Sequence, residues 1–311
     1  MRLWLQIIFQ LLLQDIERIH PRMSSFKGIQ MLTLNGKPSA VISPQDLLDA
    51  RQPPIILDCR THKEYDYCHI DGAIHVDAGS MLSPEIVDPA RGGRNPLPSV
   101  EAWEQLLQLW GVQPDSLVVA YDEATGADAA ARAWWMLTAS GVRASILDGG
   151  WNAAMRARLP VNEEAPPQNK PSTYKFNRWM LPTVDIETVD KLRCSEDWLL
   201  LDTRSPERWR GKVELVDPVA GCIPGSKNLF YKENLDVNGY FKTPEELREM
   251  YLKALGGLPP TRLIASCGSG MTACHTLLAL HQAGLEGASL YVGSYSEWCR
   301  NKKDCLPIRP K

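Results

Sequence analysis

The chain carries almost the same sequence twice, and that repetition constrains its fold more than any other feature. Ile56–Leu57–Asp58–Cys59–Arg60 returns as Leu200–Leu201–Asp202–Thr203–Arg204. His69–Ile70–Asp71–Gly72–Ala73 returns as Cys222–Ile223–Pro224–Gly225–Ser226, and Asp148–Gly149–Gly150–Trp151 as Val292–Gly293–Ser294–Tyr295. The offset is about 144 residues, or roughly ten more where the second copy has a longer loop, and a constant offset is the mark of a duplicated domain. At the matching strand ends, Tyr121–Asp122 in the first copy faces Ser266–Cys267 in the second. A nucleophilic side chain stands in the second copy alone.

A length of 311 residues agrees with two domains. The apolar and charged fractions, 44% and 23%, are those of an ordinary globular protein. A net charge of −3 gives no sign of nucleic-acid binding or of a polybasic membrane patch. The eight cysteines are too sparse for a disulfide framework, and no CxxC pair points to zinc or a redox centre. Free thiols in a reducing cytoplasm are the simplest reading, with no metal or organic cofactor expected. Near the N-terminus, Leu3, Trp4, Ile7, Ile8, Leu11, Leu12, Ile16 and Ile19 follow helical spacing. The run is too short and too interrupted to span a bilayer. Residues 1–30 are therefore expected to be an amphipathic or disordered extension, with no stable membrane insertion.

From about Val41 to Val161, apolar strand-like runs alternate with helical patterns. Ile55–Ile56–Leu57 is a short buried strand ending at Asp58, and Leu117 to Tyr121 and Ala144 to Leu147 are further strands. Helices are expected from Ser99 to Trp110, with a Ser cap, and from Ala127 to Ser140, stopped by Gly141. This alternation predicts an α/β domain whose parallel sheet is covered by helices on both faces. Residues 162–182 hold Pro166, Pro167 and Pro171 and have linker composition. A second domain is expected over 183–309. Pro182–Thr183–Val184–Asp185 is read as opening a helix to about Leu192, and Trp198 to Leu201 as the first strand of the new core. Thr243–Pro244–Glu245–Glu246 combines a Thr cap, a first-position Pro and a Glu at the third position. Leu263 to Ser266 is the strand that delivers Cys267, and Thr272 to Ala283 the helix after it.

Cys267–Gly268–Ser269–Gly270–Met271–Thr272–Ala273–Cys274 therefore sits at the C-terminal end of a parallel strand, where open α/β sheets bind ligands. Two glycines let the backbone curl so that amide N–H groups point inward. Such a nest, with the helix N-terminus, stabilises negative charge. Helix N-termini lower a thiol pKa from ~8.5 into a range of roughly 3.5 to 7.5, so a thiolate nucleophile is expected at Cys267. A tyrosine-type phosphatase places an Arg six positions after its Cys; here that position is Ala273, which weakens a phosphatase reading.

The duplication and these motifs resemble the tandem-rhodanese sulfurtransferases over about Val41 to Ile308. The loop is similar to the Cys-Gly-Ser-Gly-Val-Thr-Ala loop of the 3-mercaptopyruvate sulfurtransferases, with Met271 in place of Val. Thiosulfate-preferring members usually carry Arg and Lys inside it. The resemblance implies that Cys267 takes a sulfane sulfur from a small donor as a persulfide, and that a thiol such as thioredoxin, or cyanide, removes it. It implies that Ser269 helps to move the substrate proton and that Gly268, Gly270, Met271 and Thr272 line the substrate. It places the substrate-carboxylate Arg at Arg208, whose fork suits a carboxylate. A second Arg of that loop is replaced at about Asp217. His69 falls in a motif to which a relay role is assigned, with Asp71 in place of its Pro, and a structural His is an equal reading. Asp58 is a candidate to orient His69. Asp58–Arg60 and Asp202–Arg204 read as structural pairs. Cys222 replaces the second-copy His. Cys274 reads as a buried helix cysteine, with a resolving thiol as the alternative, and Cys59, Cys68, Cys194, Cys299 and Cys305 as incidental. Trp134, Trp135 and Trp151 read as core, and Trp298 follows a stretch similar to a family signature beside the active site. The loop's lack of basic residues favours a monocarboxylate donor, mercaptopyruvate, over dianionic thiosulfate. A thiosulfate sulfurtransferase of the same fold remains the alternative, as does a persulfide carrier to a protein partner. The first domain, with Asp122 at the nucleophile position, is expected to be a scaffold that completes the cleft.

Overall fold

The computed structural model describes residues 33–34, 37–86, 88–123, 125–127, 129–167, 169–301 and 304. The N-terminal amphipathic stretch and Cys305 lie outside them. The first sheet is built from β1 (Val41–Ile42), β2 (Ile55–Asp58), β3 (Ile74–His75), β4 (Leu117–Tyr121) and β5 (Arg143–Leu147). The second is built from β6 (Thr183–Val184), β7 (Leu199–Asp202), β8 (Lys227–Asn228), β9 (Leu263–Ser266) and β10 (Ser289–Tyr291). The strand order is β1-β5-β4-β2-β3 in the first and β6-β10-β9-β7-β8 in the second, all parallel. The two orders are the same permutation, so the sequence repeat is a repeat of topology. Parallel strands need crossovers, and helices supply them.

In the first domain these are α1 (Pro44–Leu48), α2 (His62–Tyr67), α3 (Val100–Leu109), α4 (Ala130–Ala139) and α5 (Gly150–Arg156). The second has α6 (Ile186–Leu192), α7 (Pro206–Trp209), α8 (Pro244–Leu255), α9 (Thr272–Gln282) and α10 (Ser294–Asn301). Local chemistry fixes several starts. Ser99 caps α3, and Thr243 with Glu246 forms a reciprocal capping box at α8. One expectation is corrected. Thr183–Val184 is not helix but the edge strand β6, paired with Leu290–Tyr291, and Asp185 caps the helix that starts at Ile186. An Asp whose side chain accepts the Thr188 N–H ends the strand and begins the helix within one residue.

α4 and α9 carry apolar residues around most of their circumference because each is buried between its own sheet and the other domain. Trp134, Trp135, Met136 and Leu137 share one continuous core with Leu277, Leu278 and Leu280. The segment 162–182 lies along the first domain. Its Tyr174 hydroxyl donates to the Ser140 carbonyl at 2.8 Å and its Met180 N–H to that of Ala139 at 2.7 Å. The Asp58–Arg60 and Asp202–Arg204 forks are buried ion pairs, each closing a strand end. Among the described residues, no helix is long and apolar enough to cross a membrane.

Candidate active site

β9 ends at Ser266 and α9 begins at Thr272, so Cys267 to Met271 make the turn between them. Cys267 is buried, and its Sγ accepts the Gly270 N–H at 3.2 Å. Gly270 has φ +78, and a side chain there would strike the Val292 carbonyl. Only glycine closes this turn without displacing the neighbouring strand end. The sulfur thus receives one amide within hydrogen-bond distance.

Ser294 holds the cysteine main chain beside that sulfur. Its Oγ lies 4.0 Å from Cys267 Sγ, accepts the Cys267 N–H at 3.1 Å and donates to the Tyr291 carbonyl at 2.9 Å. The repeat contained the signal. Gly150 occupies the same place in the first copy with φ +54, and Ser294 keeps that left-handed backbone at φ +51. A non-glycine residue in this region is strained by roughly 1–3 kcal/mol, and such strain collects at functional sites.

The first domain shows what the cradle accommodates. Asp122 stands where Cys267 stands, and its carboxylate accepts the N–H groups of Gly126 at 2.7 Å and of Ala129 and Ala130 at 3.0 Å. The same turn that presents a thiol in one domain is filled in the other by its own anion.

The first domain also reaches across. Its segment 92–96 lies over the Cys267 turn. Gly92 N–H donates to Glu297 at 2.8 Å, Arg94 N–H to Ser296 Oγ at 3.1 Å, and Asn95 Nδ2 to Ser269 Oγ at 2.8 Å. Gly93 packs against Gly293 so closely that a Cβ would overlap its backbone. From beneath, Arg132 of α4, fully buried, donates to the carbonyls of Gly270, Asn95 and Pro96 at 3.4, 3.1 and 3.2 Å. Burial pulls its guanidinium below the usual Arg range, while the sulfurs of Cys274 and Cys267 act the other way. Gly92, Gly93, Arg94, Asn95 and Arg132 are not singled out by the sequence, because a contact between halves leaves no local pattern. The first domain is a contributor to the site as well as a scaffold.

Arg208 sits beside the loop. A Cβ built on Gly268 would lie 3.4 Å from Arg208 Nη1 and 3.3 Å from Arg94 Nη2. The turn itself holds no basic residue, yet two guanidinium groups supply positive charge above it. Loop composition alone therefore understates the site's charge. In the structure the Arg208 fork rests on Glu214, at 2.8 and 3.0 Å from Nη2. Partial burial pushes the Glu214 carboxyl up. Bonds from Arg208 and from the amides of Asp217 and Val216 outweigh that and hold it below its ordinary range.

Ser269, Gly268, Gly270, Met271 and Thr272 are thus gathered at the turn, with Arg208 beside it. His69 is not brought to it by any described contact. It is buried in the first domain, stacked on Tyr65 at 3.9 Å, with its ring nitrogens on the Tyr65 and Glu164 carbonyls. Asp58 bonds Arg60 and the Tyr121 hydroxyl instead. Trp298 is buried in the second-domain core, and the main chain of the preceding Tyr295 and Ser296 holds the Cys267 turn. Trp134 and Trp135 are buried, and Trp151 is half-buried under the Arg60 guanidinium. Cys274 Sγ lies 3.3 Å from the Gly270 carbonyl, and burial pushes its thiol up to about 12.

The family model of the rhodanese-like domain matches residues 43–157 and 185–301. The chain is 39% identical over 271 residues to a probable 3-mercaptopyruvate sulfurtransferase of Pseudomonas aeruginosa, covering 84% of this chain and 92% of that protein. It is 34% identical over 244 residues to a thiosulfate sulfurtransferase of Bos taurus, covering 76% and 79% of the two chains. A solved 3-mercaptopyruvate sulfurtransferase from Leishmania major superposes with a TM-score of 0.75 at 27% identity, over 86% of this chain and 75% of that one.

Proposed function

Because the chain belongs to the rhodanese-like domain family, with one copy of the domain in each half, we propose that it is a sulfurtransferase that moves sulfur from 3-mercaptopyruvate through Cys267. The Cys267 thiolate attacks the donor sulfur. The donor's carbon–sulfur bond breaks with its electron pair going to carbon, which takes a proton, and pyruvate leaves. The sulfur stays as a Cys267 persulfide. A second thiol, such as reduced thioredoxin or a small thiol, or cyanide then attacks the outer sulfur and restores the thiolate. In a reducing compartment such as the cytoplasm, such acceptors are at hand.

The reading rests most on the Gly270 N–H aimed at Cys267 Sγ in a turn roofed by Arg94 and Arg208. The amide, the helix start and the guanidinium charges favour negative charge on the attacking and departing sulfur. Ser269, held by Asn95, offers its hydroxyl to the donor. His69 takes no step in this scheme. Intact mass after exposure to 3-mercaptopyruvate tests it. The wild-type protein gains one sulfur atom and Cys267→Ser gains none; a wild-type protein that stays unmodified refutes the scheme. Thiosulfate as preferred donor is the rival, and steady-state rates with both donors separate them.

A further inference from the structure

His62 opens α2 and His75 ends β3, and their Nδ1 atoms face each other at 3.4 Å. The far nitrogen of each ring is also engaged. His75 Nε2 lies 3.0 Å from the Arg60 carbonyl. A carbonyl only accepts, so the His75 ring proton is on Nε2 and its Nδ1 presents a lone pair to His62. His62 Nε2 lies 3.4 Å from a carboxylate oxygen of Asp66, one helical turn on. A single ring proton cannot serve His62 on both sides. On Nε2 it meets Asp66 and leaves two lone pairs opposed at Nδ1. On Nδ1 it meets His75 and leaves a lone pair against the carboxylate. Both sides are satisfied together when a cation, a proton or a metal ion, lies between the Nδ1 atoms. The spacing favours a metal. A separation of 3.4 Å is long for a hydrogen bond. Two zinc–nitrogen bonds of about 2.0–2.1 Å at a tetrahedral angle span about 3.3–3.4 Å. Ligating histidines characteristically give their other N–H to a carboxylate or a main-chain carbonyl, which is the pattern of Asp66 and Arg60. Arg60 is itself locked on Asp58, and the Tyr65 ring lies 5.0 Å from that of His75.

We propose that His62 and His75 bind a divalent transition-metal ion through their Nδ1 atoms, with Asp66 and the Arg60 carbonyl positioning the rings. Imidazole suits zinc, copper and nickel, whereas magnesium and calcium take oxygen ligands. Among the described residues no group of three or more His, Cys, Asp and Glu side chains gathers around one metal position, so water completes the coordination. The His62 side chain is 75% exposed, which leaves room for that water. The ion ties the start of α2 to the end of β3. The second copy shows that the fold does not require this pair. There Pro206 stands for His62, and Asn228 pairs with Asp202 as His75 pairs with Asp58. Asn228 Nδ2 donates to the Arg204 carbonyl at 2.8 Å, as His75 donates to that of Arg60. The position needs a donor in both domains, and the first domain alone supplies imidazoles. The site is independent of the sulfur-transfer reading.

Calorimetric titration of the full-length Cys267→Ser protein with zinc tests the site, the serine keeping the nucleophile from competing for the ion. One zinc ion should bind, and excess magnesium should not displace it. His75→Asn copies the second domain and keeps the bond to the Arg60 carbonyl. Added to Cys267→Ser, it should leave the melting temperature of the metal-free protein nearly unchanged and weaken zinc binding by at least about tenfold. His62→Ala, at an exposed position, should weaken it as much. Asp66→Asn removes no ligand and should still weaken zinc binding about tenfold, because the ring of His62 loses its anchor. Zinc should raise the melting temperature of the Cys267→Ser protein and leave that of the His75→Asn form where it is. The proposal is overturned if no zinc binds at millimolar concentration, if affinity is the same in His62→Ala and His75→Asn, or if magnesium competes as an equal. Unchanged affinity in Asp66→Asn would overturn the positioning role of that carboxylate.

Discussion

Asn95 of the first domain donates its side-chain N–H to Ser269 Oγ of the second at 2.8 Å, two residues beyond the nucleophile. That bond occupies a serine lone pair and leaves the hydroxyl hydrogen to point elsewhere. An amide cannot accept a proton from Ser269, so the pair orients a hydroxyl rather than relaying charge.

The double-mutant cycle on this pair is the first prediction. Asn95→Ala removes a neutral hydrogen bond worth about 1 kcal/mol, which corresponds to roughly fivefold in kcat/KM with 3-mercaptopyruvate. Ser269→Ala should cost at least as much. The double variant should be no worse than Ser269→Ala, because the amide acts through the hydroxyl. Additive losses would show that Asn95 acts on its own.

Ser294 gives a prediction of opposite sign for stability. At φ +51, glycine is favoured over alanine by about 1 kcal/mol. Ser294→Gly should therefore be more stable than Ser294→Ala, reversing the usual helix order at the first residue of α10. Both variants lose the hydroxyl near Cys267 Sγ, and both should transfer sulfur more slowly than the wild type. Urea denaturation and steady-state rates check the two halves. Equal stabilities would mean that the backbone strain has been relieved elsewhere.

Asp122 tests the paired cradle. Asp122→Ala leaves the N–H groups of Gly126, Ala129 and Ala130 without their carboxylate. Buried donors deprived of a partner cost about 1–3 kcal/mol apiece, and local relaxation recovers part, so a loss of about 3 kcal/mol in chemical denaturation is expected. A loss below about 1 kcal/mol would show that the turn does not need its internal anion.

Cys274 should be dispensable. Burial pushes its thiol up to about 12, so at pH 7 it is a neutral group bonded to the Gly270 carbonyl and a poor resolving nucleophile. Cys274→Ala should keep turnover within about twofold. A collapse of turnover with an unchanged melting temperature would restore the resolving role.

Most of the architecture was legible because duplication and period are local signals. The β9 strand and the start of α9 follow from an apolar run, a glycine-rich turn and an alanine-rich helix, and the structure places them within a residue or so of the sequence reading. Thr183–Val184 departs from the expected helix because two residues between a Pro and an Asp cap carry no period, and pairing with β10 makes them a strand. Within the site, Ser269 stands out from the cysteine loop and Arg208 from the resemblance of the 204–211 stretch to the family. Arg94, Asn95 and Arg132 did not, because their importance arises from the first domain lying on the second. Ser294 shows in the sequence as a broken glycine correspondence between repeats and as part of the signature-like stretch before Trp298.

Asp148 carries the pH dependence of the domain contact. Its carboxylate accepts the Phe241 N–H across the boundary at 3.0 Å. Burial, with the Asp236 charge behind it, pushes the group up to about 6, although the Phe241 and Gly149 amides pull the other way. A folded-state pKa raised above the unfolded ~3.9 means that the native protein binds the proton more tightly. The stability contributed by the neutral form is full below the unfolded value and is lost as pH rises through about 6. Asp148→Asn keeps the acceptor oxygen and removes the charge, so it should match the wild type near pH 4 and exceed it by about 1–3 kcal/mol at pH 7.5. Urea denaturation of both proteins across pH 4 to 8 measures the difference. A constant offset over that range would show that Asp148 titrates alike in the folded and unfolded chains, and that the contact to Phe241 is indifferent to its charge.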